Sequence, residues 1–295
     1  MSASGAVVRR AGQTAGLLGS SHRRYARFLP VIVLGALAVG LVLVGVLAPL
    51  ISPKDPNALN IAQPLRPPGP GAWFGTDEVG RDILSRTIWG TRLSLLSAAA
   101  VLVIAVSIGV VAGAVAGYAG GLADHVLMRS ADLFLAFPAL ILAIALTAAL
   151  GPSLQNAVLS IGIVWWPIYA RLVRSRVLSV RENLYVEAAR ALGLSDAGIL
   201  IRHVLPQCWG TIVSRVTVDI GYAIILTASL SFLGLGSQPP TAEWGSMIAT
   251  SRPYFFSYWW TVTFPGLAMF AAVTVFSFLG DALYDTFGIK ADRQI

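Results

Sequence analysis

Long apolar runs alternate with shorter polar segments along this chain, and that pattern predicts a membrane protein. Six runs are about 18 to 26 residues long, which suits helices crossing a hydrocarbon layer of about 30 Å. They are Phe28–Leu50, Leu93–Tyr118, Leu133–Leu150, Leu154–Leu172, Gly210–Leu233 and Trp259–Leu279. The first run is longer than the core of a signal peptide, about 7–15 residues, so it too is predicted to be a span.

Composition supports the same class. Of 295 residues, 56% are hydrophobic and only 12% are charged, and the mean hydropathy is +0.74. Soluble domains carry about 25% charged residues, so an all-α polytopic membrane protein is expected. The net charge of +7 comes from arginines at span ends and is not a nucleic-acid signature. The single cysteine allows no intrachain disulfide, and the sequence shows no metal-ligand cluster.

Arginines are concentrated on alternate loops. The N-terminal tail, residues 1–27, carries five, and the loop after the fourth run carries five more. Six spans place both segments and the C-terminal tail, residues 289–295, on one side, which the positive-inside rule makes the cytoplasm. The N-terminal tail is rich in Ser, Gly and Arg and is predicted to be disordered.

An external loop over residues 51–91 is then expected before a domain of five spans, residues 92–288. Six prolines between residues 52 and 70 favour an extended segment. The following stretch predicts an amphipathic interfacial helix, capped by Thr76 or Asp77, that leads into the second span. Its apolar face would hold Val79, Ile83, Leu84 and Ile88, and its charged face the pairs Asp77–Arg81 and Asp82–Arg86.

A helical hairpin is predicted in the loop after the fourth run. Ser179 and Glu182 have capping-box spacing, so a helix should start beside them. Gly193 can end that helix in the left-handed conformation. Ser195 can cap a second helix, which Pro206 should stop. So much polar structure between two spans suggests a docking surface for a soluble partner.

Three glycines, Gly109, Gly113 and Gly117, form a smooth stripe along the second span. It allows close helix packing, either within this chain or against a partner subunit. Pro138 and Pro167 in the third and fourth runs can each produce a kink, static or used in gating.

Arg215 and Asp219 are four residues apart in the fifth run and form a candidate inner gate or, alternatively, a snorkelling structural pair. Other acids or bases are not placed centrally in a run, which argues against a proton- or sodium-coupled secondary transporter. The runs also lack the paired nucleophile or metal cluster of an intramembrane enzyme.

The loop after the fourth run resembles the EAA loop of permease subunits of bacterial binding-protein-dependent ABC importers. We use this name for residues 187–206. The matching positions are Glu187, Ala188, Ala189, Gly193, Leu205 and Pro206. His203 stands where the general pattern has Ile, and His there is usual in the peptide-importer branch.

Two further segments are similar to those of the C-type permease of peptide importers. The first precedes the second span and comprises Gly75, Thr76, Asp77, Gly80, Arg81 and Asp82. A nucleotide-loop reading of its glycines is poor, because a strand and a Lys are missing. The second runs from Ser231 to Gly245 and places Glu243 and Trp244 at the outer interface, where the family's binding protein delivers substrate.

The resemblance implies the type I ABC importer permease fold with six transmembrane helices. It also implies the partners: a homologous second permease forming a heterodimer, two ATPase domains that bind ATP and Mg, an external solute-binding protein, a di- or oligopeptide substrate, and membrane lipid. The EAA loop would dock on an ATPase domain. This chain would not be an enzyme or hold a cofactor, since it has no Gly-x-x-x-x-Gly-Lys-Ser/Thr loop. Nickel permeases share these segments and are the near alternative.

Overall fold

The computed structural model describes residues 28–288, and within them the chain is helical, with only isolated β-bridges. The two predicted tails, 1–27 and 289–295, lie outside the described residues. The helices are α1 (Phe28–Val46), α2 (Ala48–Ile51), α3 (Ile83–Ala119), α4 (Gly121–Leu135), α5 (Ala139–Leu150), α6 (Leu154–Arg181), α7 (Leu184–Ala191), α8 (Asp196–Ile199), α9 (Leu205–Phe232), α10 (Trp244–Ser251) and α11 (Trp260–Leu283). Short π turns follow α8 and α11, and a 3₁₀ turn follows α10.

Among residues 28–288, five helical stretches are long and apolar enough to cross a membrane, and there is a sixth if α4 and α5 count as one span. The third span, predicted as Leu133–Leu150, is not one helix, because α4 and α5 meet at an angle of 89°. Pro138 causes the break: it disfavours helical backbone at Phe137 and itself has the extended ψ of 124° at the start of α5. The 12 residues of α5 are about 18 Å long, shorter than the hydrocarbon layer.

The predicted interfacial helix before the second span is wrong. Helix α3 begins at Ile83, where Asp82 caps it by accepting from Ser85 N, and continues for 37 residues without interruption. At 1.5 Å per residue it is about 55 Å long, so it extends well beyond a layer of about 30 Å. Val79 and Asp77, assigned to opposite faces of the predicted helix, lie before α3 in a turn.

The glycine stripe packs within the subunit. A Cβ at Gly109 or Gly113 would overlap Tyr169 or Ala170 of α6, and one at Gly117 would lie 2.9 Å from Val177 Cβ. The two helices therefore meet backbone to backbone along most of α6, which is how small residues stabilise helix pairs in lipid. Helix α6 continues through Pro167, which is buried.

The core surrounds this α3–α6 pair. One buried cluster joins it to α5, α9, α10 and α11, and a second, at the other end, joins it to the EAA loop. Helix α1 is mostly exposed and touches the rest at Gly45, against the backbone of Arg92. The fold therefore brings the EAA loop and the middle of α9 onto one central helix, α6.

Candidate functional site

The chain enters the EAA loop through a different local structure from the one that the sequence predicts. Helix α6 continues through Ser179 to Arg181 with Glu182 as its C-cap, so the predicted capping box is wrong. Asn183, with extended backbone, precedes α7 instead and makes no side-chain cap. Packing of Val177 and Val180 on the second cluster continues α6 past its local capping signal.

The turn after α7 confirms the prediction for Gly193. Its φ is +81°, and its N–H donates to Arg190 O at 3.0 Å while Leu194 N donates to Ala189 O at 3.3 Å. These two bonds make a Schellman motif, which needs a left-handed residue at this position. A side chain at residue 193 would meet nothing within 4 Å, so conformation and not space favours glycine.

The second half of the loop joins directly to a span. Ser195 caps α8, as predicted, by accepting from Gly198 N at 3.3 Å. The prediction that Pro206 stops this helix is wrong, because a π turn over Leu200–Val204 connects α8 to α9 without a break. Pro206 lies in the first turn of α9, directly after the π turn, and the chain remains helical through it.

Helix α7 has a buried side and an exposed apolar side. Val186 and Ala189 pack into the second cluster, while Leu184 is 82% exposed and Leu192 is 81% exposed. The remaining motif residues are placed as follows: Glu187, Ala188, Gly193 and Pro206 are exposed, and His203 and Leu205 are half-buried. The outer side of α7 and its turn thus leaves two large apolar side chains in contact with solvent.

A residue that sequence reasoning missed attaches this loop to α3. Tyr118, in the last turn of α3, donates to Asp196 Oδ1 at 2.8 Å, and Arg190 Nη2 donates to the Tyr118 hydroxyl at 3.4 Å. Arg181 Nη1 also donates to Gly117 O at 2.8 Å. The contacts span 78 residues in sequence, so local pattern gives no signal for them.

Inside the predicted membrane region, Arg215 and Asp219 form the expected pair. Arg215 Nε donates to Asp219 Oδ2 at 2.9 Å, and the same oxygen accepts from Tyr169 OH at 2.8 Å. The Asp219 residue is 3% exposed, whereas the Arg215 side chain is 43% exposed. Because α9 starts at Leu205 and not near Gly210, the pair lies at the middle of the helix and not near its start.

The segment before α3 contains a compact group of largely buried polar side chains. Asp77 and Arg81 pair at 2.6 Å as predicted, although in a turn. The predicted pair Asp82–Arg86 does not form, because Asp82 caps α3 while Arg86 lies 3.5 Å from Asp77 and donates to the Pro56 and Pro240 carbonyls.

Two glycines and a threonine belong to the same group of contacts. Gly75 and Gly80 have φ of +77° and +80°, and a Cβ at Gly80 would overlap Asn60 O. Thr76 Oγ1 accepts from Arg66 N and donates to Gln63 O, both at 2.8 Å. The segment therefore fastens the proline-rich stretch to the start of α3.

Glu243 and Trp244 do not lie at an exposed interface as predicted, since they are 1% and 0% exposed. Trp244 packs on Gly90 and donates to Thr87 O at 3.1 Å. Glu243 caps α10 by accepting from Gly245 N at 3.0 Å and Ser246 N at 2.9 Å. Burial raises the pKa of Glu243 above its ordinary 4.5. The missing side chain at Gly90 makes room for the indole, a contact that spacing alone does not reveal.

The sequence matches a known family over the region that contains the EAA loop. Residues 109–290, more than half of the chain, match the family described as binding-protein-dependent transport system inner membrane component. The chain belongs to this family. The membership predicted from the sequence motifs is therefore confirmed, and the protein is a membrane permease component of an ABC transporter.

Relatives of this permease align over most of its length. The probable D,D-dipeptide transport system permease protein DdpC of Escherichia coli (strain K12) is 42% identical over 251 residues, 85% of this chain and 84% of that protein. The di/tripeptide transport system permease protein DppC of Pseudomonas aeruginosa (strain UCBPP-PA14) is 41% identical over 82% of each. The glutathione transport system permease protein GsiD of Pectobacterium atrosepticum is 38% identical over 91% of this chain and 89% of that protein.

A solved structure shares the permease's fold. One chain of the MetNI methionine ABC transporter, in inward facing conformations, matches with a TM-score of 0.53 at 19% identity, over 70% of this chain and 96% of that one. At this identity the likeness concerns the fold alone, and it confirms the ABC importer permease fold.

Proposed function

We propose that this permease is one of two homologous subunits that form the translocation path of an ATP-driven importer of di- or oligopeptides into a bacterial cell. The names of the relatives support the peptide substrate. The absence of a nucleotide-binding sequence supports partner ATPase domains as the place where ATP and Mg bind. A solute-binding protein would deliver the peptide at the outer face.

The observation that carries this proposal is the surface of α7 and its turn. Leu184 and Leu192 are almost fully exposed beside the charged Glu187 and Arg190, while the opposite side of α7 is buried in the subunit. Insertion of this surface into a cleft of an ATPase domain would remove both leucines from water, stabilising the contact by about 1.5–3 kcal/mol for each. The EAA loop is therefore proposed as the ATPase-docking element.

The docking proposal requires the EAA loop and both termini to be cytoplasmic. Two exposed residues test this: Leu192 in the loop and Ile61, 79% exposed, before α3. With an impermeant thiol reagent on intact cells, Ile61→Cys should be labelled and Leu192→Cys should not. The native Cys208 is buried and gives little background. Labelling of Leu192→Cys with protection of Ile61→Cys reverses the orientation and removes the docking argument.

Growth tests the substrate. In an amino-acid auxotroph without redundant peptide importers, deletion of this subunit should prevent growth on the required amino acid supplied as a short peptide. Growth on the free amino acid and accumulation of nickel should be unchanged. Peptide-fed growth combined with reduced nickel uptake would contradict the peptide assignment and favour a nickel permease.

A further inference from the structure

An open cavity on the surface of the fold carries an inference that rests on the proposed function. It lies between the end of α4, α6 and α9, has a volume of about 440 Å³ and is lined by Leu135, Ile168, Arg171, Leu172 and Arg215. Both charged residues in the lining are cations. Sequence reasoning placed Arg215 in a candidate gate but gave no reason to associate it with Arg171.

Arg215 is held in a fixed orientation at this cavity. Its Nε donates to Asp219, a buried carboxylate that Tyr169 of α6 also holds through the same oxygen. Because Nε is the nitrogen that meets Asp219, the two terminal nitrogens of the guanidinium are left for a ligand. A guanidinium presents its terminal donors in a planar fork that matches a carboxylate, and a buried partner that fixes its orientation reduces the entropy lost on binding.

Arg171 supplies the second cation. It donates to Asp132 of α4 through Nη2 and remains half exposed at the cavity. It lies on the one exposed stripe of α6, together with Leu159 and Ile163, whereas the rest of that helix is largely buried. The half-exposed ring of Tyr222 continues the same face onto α9 through its contact with Trp165.

The opposite side of α9 differs in chemistry. Its groove toward α1 and α3 is lined almost wholly by apolar groups such as Val103, Val213 and Ile220, as lipid-facing or helix-facing surfaces are. Charged side chains in membrane helices face a protein interior or a water-filled cavity. Of the two sides of α9, the one on which Arg171 and Arg215 lie therefore has the chemistry expected beside an aqueous path.

We propose that Arg171 and Arg215 form a subsite for the C-terminal carboxylate of a peptide in transit. Leu135, Ile168 and Leu172 give this subsite an apolar wall that does not select a side chain. The terminal carboxylate is common to all peptides, so the subsite recognises the class without a sequence preference. An anionic lipid phosphate offers similar oxyanion chemistry, and the experiment separates the two.

The test measures protection of an introduced thiol in the complete importer, reconstituted in nanodiscs without its binding protein. Leu172→Cys places a thiol in the cavity wall, and a neutral maleimide reports its accessibility. Trialanine should slow labelling at about tenfold lower concentration than trialanine amide, which lacks the carboxylate. Equal protection by acid and amide, or none by either, overturns the inference.

Variants in the same background test the two arginines. Arg215→Gln and Arg171→Gln should each remove the preference for the acid, and Arg215→Lys should retain part of it. Arg215→Gln leaves Asp219 buried without its cation and can therefore reduce folding. Arg171 makes no contact with Asp219, so Arg171→Gln tests the subsite even if Arg215→Gln fails to fold. The control is Arg92→Gln, which removes an exposed arginine of α3 outside the cavity lining and should leave the preference unchanged.

Two further outcomes separate the explanations. If phosphatidylglycerol in an otherwise phosphatidylcholine nanodisc slows labelling and trialanine does not, a lipid phosphate occupies the site and the inference is wrong. Uptake of trialanine by the unmodified importer is measured in parallel with its binding protein. An importer that takes up no peptide contradicts the proposed function itself, whereas uptake with equal acid and amide protection contradicts only the subsite.

Discussion

The hydroxyl of Tyr118 at the end of α3 donates to Asp196 Oδ1 at the start of α8, and the distance is 2.8 Å. It joins the longest helix of the permease to the second half of the EAA loop. A net hydrogen bond contributes about 0.5–1.5 kcal/mol, so loss of this one should change the position of the loop without unfolding the protein.

Tyr118→Phe should therefore lower the amount of peptide transported per ATP hydrolysed, by about two- to tenfold. Thermal stability of the purified complex should change little. Uptake and ATP hydrolysis are measured together in proteoliposomes. Tyr284→Phe, on the exposed Tyr284 beyond α11, is the matched control. An unchanged ratio in Tyr118→Phe would show that the contact does not transmit motion.

Gly193 gives a prediction based on backbone conformation. With φ at +81° and no atom within 4 Å of a Cβ, Gly193→Val should be costly through left-handed strain alone, about 1–2 kcal/mol or more. Uptake should fall about tenfold while the protein still reaches the membrane. Gly193→Asn should be milder, because Asn adopts this conformation more readily. A steric contact with the ATPase would instead make both variants equally defective.

Glu187→Ala concerns the docking contact itself. The side chain is exposed and interacts only weakly, through its charge, with the exposed Arg190, so removal should change thermal stability little. Uptake should fall less than in Gly193→Val, because the loop keeps its conformation. Glu182→Ala, also exposed but before α7, should transport normally. A stability loss in Glu187→Ala would indicate a structural role within the subunit.

The α3–α6 interface predicts a packing effect. Gly113→Ala should destabilise the protein by about 1–3 kcal/mol, because the added methyl would overlap Ala170 O. Gly210→Ala in α9, where nothing lies within 4 Å, should be neutral or stabilising by up to about 1 kcal/mol. Thermal unfolding of the detergent-purified subunit measures both. Similar unfolding temperatures for the two variants would contradict the packing shown here.

Glu243 predicts a pH dependence of stability. Because burial raises its pKa in the folded state above 4.5, the folded protein keeps this proton at pH values where the unfolded chain has lost it. The free energy of unfolding should therefore fall as pH rises from 4.5 through the raised value, and then level off. Glu243→Gln, isosteric with the protonated form, should show a weaker fall, whereas exposed Glu182→Gln should keep the native profile. Equal dependence of stability on pH in all three proteins would contradict the assignment of this fall to Glu243.

The features that the sequence predicts correctly depend on interactions between residues that are close together in the chain. The left-handed turn at Gly193, the cap at Ser195 and the Arg215–Asp219 pair each involve residues no more than five apart. Their geometry follows from local backbone chemistry, and so the local signal is sufficient. The EAA loop is recognised differently, by its resemblance to a family motif that covers twenty residues.

The errors come from contacts between distant segments. Ser179 has a capping signal, but packing of its neighbours Val177 and Val180 continues α6 past it. From the sequence, Trp244 resembles an interface anchor. In the fold, the missing side chain at Gly90 of α3 leaves space in which Trp244 is buried. Tyr169 supports Asp219 from 50 residues away. Such partners are set by tertiary packing, which one sequence without its fold does not contain.

The unbroken path from α8 through the π turn into α9 makes this stretch a lever. Helix α9 itself, from Leu205 to Phe232, has 28 residues and is about 42 Å long at 1.5 Å per residue. A tilt of this helix by about 5° at its loop end displaces the far end by about 4 Å, more than the rise of two residues. A small closing movement of a docked ATPase would thus be enlarged along α9 without any chemical signal passing between residues.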